Sequence, residues 1–157
     1  MPNCLVRLAE VQDAETVAAL IRAMDAHYDA AGRASSMADT LAMVRHAVET
    51  REGTRFALAF QDGRPVGLAC FALIRPGSRL KGVLFLKDLF VAEEARGRAV
   101  GRTILRWLAD YARARGIGRI DLTAEAANRR AQAFYESLGG DRMDKVFYRF
   151  DLTGRGD

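Results

Sequence analysis

The sequence predicts an α+β protein whose mixed β-sheet has helices on its faces. Apolar runs typical of strands alternate with segments of helical spacing in the order β-α-α-β-β-β-α-β-α-β. The first half is rich in hairpin signals, whereas the second half follows a β-α-β-α order. Hydrophobic residues make up 50% of the 157-residue chain, enough for one ordinary core. We therefore expect a single domain over residues 1–157 that frays from about residue 153.

The first half is predicted to begin with one strand and two helices. Residues 4–8 form the apolar run of a first strand. Asp13 is placed to cap the first helix, and Gly32 is placed to end it. Ser36 and Asp39 have capping-box spacing at the start of the second helix.

A hairpin and a strand–helix–strand unit are predicted to follow. The hairpin turn is expected at Asp62-Gly63, because this dipeptide is common in two-residue turns between strands. The remaining predicted elements are a long apolar strand at 82–91, a helix from about Val100 to Gly116, a strand at 119–125, a short helix from Asn128 to Gly139 and a last strand at 146–152.

Composition narrows the class of protein. The net charge is +4 and the pI is about 9.4, a balance that favours anionic ligands without indicating a nucleic acid. We see neither a signal-peptide pattern nor a run of ~18 apolar residues, so we expect a cytoplasmic protein with no membrane partner. Cys4 and Cys70 lie in apolar runs and are predicted to be reduced core residues. His27 and His46 lack metal-ligand spacing, so no metal is expected.

The stretch "FVAEEARGRAVGR" at 90–102 has the physics of a phosphate cradle. It lies where an apolar strand ends and a helix begins, and a helix N-terminus offers unpaired N–H groups and partial positive charge to an anion. Glycines allow close approach of the backbone, and arginines add paired donors. A Walker A loop is excluded because Gly101 is followed by Arg102 and not by lysine, and the dinucleotide fingerprint does not fit. The pattern that remains is [Q/R]-x-x-G-x-[G/A] at 96–101, with Ala99 in place of its first glycine.

Two motifs make the sequence resemble the GNAT superfamily of N-acetyltransferases. "DLFVAEEARGRAVGRTIL" at 88–105 resembles the acetyl-CoA motif of that family, and "NRRAQAFYESLG" at 128–139 resembles its second signature. The element order also fits the family from residue 4 to residue 152. The resemblance implies a GNAT fold with a mostly antiparallel sheet, splayed between its fourth and fifth strands and flanked by helices on both faces. It also implies acetyl-CoA as co-substrate.

The resemblance implies an acyltransferase in which an amine attacks the thioester directly within a ternary complex. The amide of Leu89 would polarise the thioester carbonyl, and Tyr135 would protonate the departing thiolate. The turn at 96–101 and Arg102 would hold the pyrophosphate. The implied cofactor contacts are Leu89, Phe90, Val91, Arg96, Gly97, Arg98, Ala99, Val100, Gly101, Arg102, Asn128, Ala131, Phe134 and Tyr135.

The acceptor is expected to be a primary amine of a small molecule. "FLKDLFV" resembles the diamine N-acetyltransferase branch, but Lys87 stands where that branch often has an acid. A cation there argues against a polyamine, which needs several acids to neutralise it. Asp88 and a water chain are equal candidates for removing the amine proton. The candidate acceptor contacts are His27, Tyr28, Asp88 and Glu125.

Several alternatives stay open at this point. Ala99 occupies a position that is usually glycine in the family, so its methyl group either crowds the pyrophosphate or points into the helix without cost. Tyr135 could instead have only a packing role, and Asp88 could be a structural acid. The arginines could instead be solvated surface residues. For the whole protein the alternatives are an acetyl-CoA-binding module without catalysis, an enzyme that acetylates a protein amine, and a basic nucleic-acid-binding protein. A homodimer is expected because relatives often dimerise.

Overall fold

The computed structural model describes residues 3–28, 35–50, 52–77, 79 and 81–154. These fall into two compact units, Met1–Thr123 and Ala124–Asp157, each of which is described by itself. The first unit contains, in chain order, β1 (Cys4–Leu8), α1 (Ala14–Tyr28), α2 (Met37–Thr50), β2 (Thr54–Gln61), β3 (Arg64–Ile74), β4 (Gly82–Val91), α3 (Val100–Arg113) and β5 (Ile117–Leu122).

The sheet of the first unit is mixed and mostly antiparallel, as predicted. Its strand order is β1-β2-β3-β4-β5, with antiparallel pairing from β1 to β4 and parallel pairing between β4 and β5. The turn between β2 and β3 places Asp62 at φ 49° and Gly63 at φ 75°, which confirms the hairpin predicted there. The fifth strand lies at Ile117–Leu122, so it begins and ends earlier than the range 119–125 predicted from the sequence.

Helices cover both faces of this sheet. Successive residues of β2 divide between two apolar clusters, because side chains along a strand point alternately to opposite faces. Ala57 and Ala59 join a cluster that includes α3, whereas Phe56 and Leu58 join a cluster that includes α1 and α2. The fully buried Phe71 packs in the first cluster, with its ring edge-on to Trp107 and Tyr111 of α3.

The predicted helix starts are confirmed for α2 and corrected for α1. The Ser36 hydroxyl donates to the Asp39 carboxylate at 2.7 Å and accepts the Asp39 N–H at 3.1 Å, which fixes the start of α2. Asp13 ends a short 3₁₀ turn before α1 and does not cap that helix as predicted. Its carboxylate instead accepts the N–H of Glu10 at 2.8 Å, so the bond points backward along the chain. The predicted stop at Gly32 lies outside the described residues.

Arg7 of β1 and the buried Asp13 form a bidentate ion pair. The two guanidinium nitrogens donate to the two carboxylate oxygens at 2.7 and 2.8 Å. The hydrogen bond from Arg7, opposed by burial and supported by the Glu10 N–H, lowers the pKa of Asp13 below its ordinary value. A lowered folded-state pKa means that the pair stabilises the protein above the unfolded pKa of ~3.9. That stabilisation is lost as the pH falls through the folded value.

We expect Asp13→Asn to lower the free energy of unfolding by about 1–3 kcal/mol at pH 7, because it leaves the guanidinium without its charged acceptors. Urea unfolding at pH 7 and pH 3 measures the effect, and the difference from the original protein should shrink at pH 3. Asp110→Asn is the matched control, since the Asp110–Arg113 pair is exposed on α3. Its removal should cost less than ~0.5 kcal/mol. An equal loss in both variants would contradict the assigned role of Asp13.

The second unit contains one helix, α4 (Arg129–Ser137), among its described residues. Asn128 caps it as predicted, since its side-chain oxygen accepts the Ala131 N–H at 3.1 Å. Gly139 follows the helix at φ 87°, the left-handed conformation common after a helix end. The strand predicted at 146–152 is not observed, and these residues have no regular secondary structure. The described part of this unit holds no other strand with which the segment could pair.

Candidate acyl-transfer site

The end of β4 differs from the rest of that strand in its neighbours. The β4–β5 ladder runs from Gly82 to Leu86, whereas the β4–β3 ladder continues as far as Val91. Residues 88–91 are therefore paired on the β3 side alone in the ladders that the structure describes. The predicted parting of the fourth and fifth strands is consistent with this arrangement, since one edge of β4 loses its neighbouring strand there.

A β-bulge at Lys87 changes the direction in which the following side chains point. Asp88 pairs with Cys70 and Leu86 pairs with Phe71, so Lys87 has no opposite residue in β3. Before the bulge, Leu84 and Leu86 pack in the α3-side cluster. After it, Leu89 and Val91 pack against that same cluster, whereas Phe90 is buried in the α1-side cluster.

The backbone amides of Leu89 and Val91 face the edge of β4 that lacks a ladder. Ala92 lies opposite Val66 of β3, and its N–H donates to the Val66 carbonyl at 2.9 Å. Ala92 and Val66 are therefore a hydrogen-bonded pair of the antiparallel ladder. Alternation along the strand then directs the N–H of Phe90 toward β3 and those of Leu89 and Val91 away from it. The Arg96 Nε donates to the Val91 carbonyl at 3.1 Å, from the side away from β3. The strand end thus offers outward amides of the kind that an extended ligand can pair with.

The turn after β4 leads into α3 with a positively charged, amide-rich corner. Gly97 has φ 75°, a conformation that favours glycine, and Ala95 anchors the turn in the core. The first α3 bond is donated by the Thr103 N–H to the Ala99 carbonyl at 3.0 Å. The preceding N–H groups of the first turn have no intrahelical acceptor, as at every helix start. The exposed or partly exposed cations here are Arg96, Arg98 and Arg102.

Ala99 lies just outside α3 in the left-handed region, at φ 61° and ψ 12°. The possibility that its methyl group sits in the helix at no cost is therefore wrong, because helix propensity does not apply to this conformation. An L-residue other than glycine costs about 1–2 kcal/mol there. The strain at Ala99 agrees with the family preference for glycine at this position.

We expect Ala99→Gly to raise the free energy of unfolding by about 0.5–1 kcal/mol, because relief of the strain exceeds the added chain entropy of glycine. Chemical denaturation measures the change. Ala19→Gly is the matched control, since Ala19 is an exposed interior residue of α1. The same substitution should there lower stability by ~1 kcal/mol. Two changes of the same sign would contradict the assignment of strain to Ala99.

Lys87 and Asp88 form a charged group at the bulge. The Lys87 Nζ donates to the Asp88 Oδ2 at 2.7 Å. Burial acts to lower the pKa of Lys87, but the hydrogen bond and charge of Asp88, with smaller effects of Cys70 and Asp25, raise it overall. The lysine therefore stays cationic and neutralises much of the charge of Asp88. Burial, together with the charge of Asp88, raises the pKa of the Cys70 thiol to about 11, so this cysteine is protonated and is a poor nucleophile.

The acceptor candidates on α1 lie at its C-terminal end. His27 and Tyr28 are exposed, with their rings edge-on at a centroid distance of 5.0 Å. The charge of Asp25, on the same helix, makes a small contribution to the raised pKa of Lys87. Of the candidate acceptor contacts, Asp88 directly precedes the outward amide of Leu89 on β4.

The other predicted contacts belong to the second unit. Tyr135 is half-buried on α4, with its ring edge-on to that of Phe134 at 5.2 Å. Asn128 and Ala131 are joined by the capping bond, which leaves the Asn128 amide nitrogen outside that bond. The backbone carbonyl of Glu125 accepts the side-chain amide of Gln132 at 2.9 Å.

The sequence did not reveal two features of the site. The bulge at Lys87 is a property of pairing between strands, although adjacent charges in the apolar run "FLKDLF" were a signal of broken alternation. The left-handed conformation of Ala99 is not indicated by the residue itself, since alanine does not favour it, and the glycine usual at this position in the family was its one signal. Val100 has a buried side chain and can offer a ligand little beyond its backbone, whereas the side chain of Phe90 is buried and its N–H is directed toward β3.

Comparison with known proteins identifies the class that this fold and site define. The Acetyltransferase (GNAT) family profile matches residues 17–140. The chain belongs to this family and is an acyltransferase enzyme. The GNAT family uses acetyl-CoA as acetyl donor. Of the helices that the structure describes, none combines the length and the apolar character needed to cross a bilayer.

Individual relatives agree with this assignment. The chain is 28% identical over 148 residues to "Uncharacterized N-acetyltransferase YhfO" of Bacillus subtilis, covering 94% of this chain and 96% of the relative. The solved structure of the integron cassette protein VCH_CASS6 of V. cholerae has a TM-score of 0.88 and 26% identity, covering 96% and 94% of the two chains. "Aminoglycoside N-Acetyltransferase AAC(6')-Iy in Complex with CoA" shares the fold, with a TM-score of 0.79, 15% identity and coverage of 97% of each chain.

Proposed function

We propose that the protein transfers an acetyl group from acetyl-CoA to the primary amine of a small molecule. The observation that carries the proposal is the end of β4, where the amides of Leu89 and Val91 face away from β3 along an edge without a described ladder. An extended pantetheine arm can pair with such amides as an added strand would. The turn at 96–99 and the first N–H groups of α3 then follow, where a pyrophosphate fits their positive potential.

The proposed reaction is a direct transfer with no acetyl-enzyme intermediate. The protonated state of the Cys70 thiol supports this choice, since the nucleophilic form of a cysteine is the thiolate. The neutral amine attacks the thioester carbon, and the Leu89 N–H stabilises the negative charge that develops on the carbonyl oxygen. Collapse of the tetrahedral intermediate breaks the carbon–sulfur bond, and Tyr135 gives its phenolic proton to the sulfur. The proton lost by the amine leaves through water or through Asp88.

The charges at the bulge favour an acceptor of low positive charge. Asp88 is neutralised by Lys87 at 2.7 Å, so the pair offers little net attraction to a polycation. Asp25 adds one negative charge on the neighbouring helix. We therefore propose a monoamine or an amino compound with few charges, and we place His27, Tyr28 and Glu125 among its contacts.

We also propose that the protein is cytoplasmic and forms a homodimer. Residues 1–157 of each chain would form a single domain. The family match from 17 to 140 spans the boundary between the two compact units, which supports treating them as one functional domain. Arginines near the start of α3 support an anionic ligand, and the cofactor's diphosphate is the simplest one.

Calorimetry and a thiol-release assay test the proposal. Acetyl-CoA should bind with a 1:1 stoichiometry, duplex DNA should not compete with it, and one amine in a screened library should release CoA. Polyamines should be poorer acceptors than monoamines. Binding of acetyl-CoA without thiol release on any amine would favour a binding module that lacks catalysis. Competition by DNA would instead favour a nucleic-acid-binding protein.

A further inference from the structure

Lys87 places a primary amine of the protein itself near the end of β4. It stands two residues before Leu89, a separation of roughly 6–7 Å along a strand. Its side chain is 69% exposed, and a lysine carries its amine on a flexible four-carbon stem that can span such a distance. The amine of Lys87 is therefore within reach of the edge toward which the Leu89 N–H is directed.

The bulge leaves the Lys87 side chain free to reorient. Residue 87 has no opposite residue in β3, and the β4–β5 ladder ends one residue earlier, at Leu86. Residue 87 is thus paired in neither of the two ladders that the structure describes for β4. A largely exposed side chain at such a position can change rotamer without displacing buried neighbours.

Asp88 supplies an immediate acceptor for the proton that this amine must lose before it can attack. Its Oδ2 accepts from the Lys87 Nζ at 2.7 Å. Burial acts to lower the pKa of Lys87, but Asp88, with smaller effects of Cys70 and Asp25, raises it overall. The neutral amine is therefore a minor form near pH 7, and its fraction grows about tenfold with each pH unit. An external primary amine bears a similar cost, since its pKa also lies well above 7.

We propose that Lys87 is a self-acetylation site. The inference rests on the proposed acetyl transfer, because it uses the same oxyanion donor, the Leu89 N–H. The Lys87 Nζ gives one proton to Asp88 or to water and attacks the thioester carbon of acetyl-CoA, so that an amide bond forms. The carbon–sulfur bond breaks, and the departing sulfur takes up a proton. The products are an acetylated lysine side chain and CoA.

Acetylation of Lys87 changes the charge that an acceptor meets. An amide carries no charge, so the modified side chain no longer neutralises Asp88. Asp88 then presents an uncompensated negative charge directly before Leu89 on β4. The modified protein is therefore expected to accept cationic amines more readily than the unmodified protein does.

Peptide mass spectrometry of the full-length protein, incubated with acetyl-CoA alone, tests the proposal. The chain has three lysines, at positions 81, 87 and 145, so the acetyl group can be followed at each of them separately. Lys81 and Lys145 are both exposed and serve as internal references. Lys87 should be acetylated about 100-fold faster than either, because its attack is intramolecular. Its rate should rise with pH and should not depend on the protein concentration.

Three variants identify the source of the fast reaction. Lys87→Arg keeps the charge and should abolish the fast uptake, whereas Lys81→Arg is the matched control and should leave it unchanged. Leu89→Pro, under saturating acetyl-CoA, should slow the acetylation of Lys87 about 10²–10³-fold, because it removes the N–H of the oxyanion donor. Equal rates at the three lysines, or a Lys87 rate that Leu89→Pro leaves unchanged, would overturn the proposal.

Calorimetry with acetyl-CoA and thiol release on added amines, measured on the same protein, separate this inference from the proposed function. If the protein binds acetyl-CoA and acetylates an added amine while Lys87 stays unmodified, the self-acetylation site is wrong and the proposed function stands. If the protein neither binds acetyl-CoA nor releases CoA, both are wrong.

Discussion

The Tyr135→Phe variant should lose about 10²–10⁴-fold in turnover while its affinity for acetyl-CoA changes less than threefold. The substitution removes one phenolic hydroxyl and keeps the ring, which lies edge-on to Phe134 on α4. If that hydroxyl protonates the departing thiolate, its loss affects the transition state and leaves ground-state binding intact. Thiol release under saturating substrates and calorimetry with acetyl-CoA measure the two quantities separately.

Tyr111→Phe is the control for this experiment. Tyr111 belongs to α3, where its ring stacks on Trp107 at 5.0 Å and lies under the Arg115 guanidinium. Loss of its hydroxyl should leave turnover unchanged. A Tyr135→Phe enzyme that retains more than a tenth of the original turnover would show that another group supplies the proton. An equal loss of affinity and turnover would point to a role in binding.

The Leu89→Pro variant should fold but lose about 10²–10³-fold in turnover, because proline removes the N–H that we propose stabilises the oxyanion. The ladder with β3 should survive, since the Leu89 N–H faces away from that strand. Proline is tolerated in strands at positions of this kind. Circular dichroism checks the fold, and the thiol-release assay checks the rate.

Two control variants separate the amide from the side chain at this position. Leu89→Val keeps the amide and should retain most of the turnover. Phe90→Pro removes an N–H that points into the β3 ladder, and it should lower stability far more than Leu89→Pro does. Normal turnover in a folded Leu89→Pro protein would exclude this amide as the oxyanion donor. Equal instability of the two proline variants would contradict the derived direction of the amides.

Local chemistry explains the parts of the fold that were predictable from sequence. Asp62 and Gly63 readily adopt positive φ, so they mark the hairpin turn. The Ser36–Asp39 spacing allows reciprocal bonds at the start of α2, and the structure contains them. The strand at 82–91 was predicted with its observed limits, because its apolar run is long and bounded by a glycine and by polar residues.

The features that were missed depend on partners distant in sequence. Asp13 follows the pattern of a helix cap, but Arg7 on β1 and the Glu10 N–H hold its carboxylate instead. The segment 146–152 has the alternation of a strand, yet a strand forms only where another offers its backbone. Of the candidate site, the turn at 96–101 was identified by its residue types. The resemblance implied a role for the Leu89 amide, but the outward direction of the Leu89 and Val91 amides follows only from the ladder.

Because Lys87 lies in a bulge, a substitution there could change the preference for the acceptor and leave the sheet intact. Residue 87 faces no residue of β3, and its side chain is largely exposed, so its replacement should disturb little of the packing. If Asp88 meets the incoming amine as proposed, the charge of Lys87 sets how much of the negative charge of Asp88 the amine encounters. Acceptor specificity could then evolve, or be engineered, at one position that the fold leaves almost unconstrained.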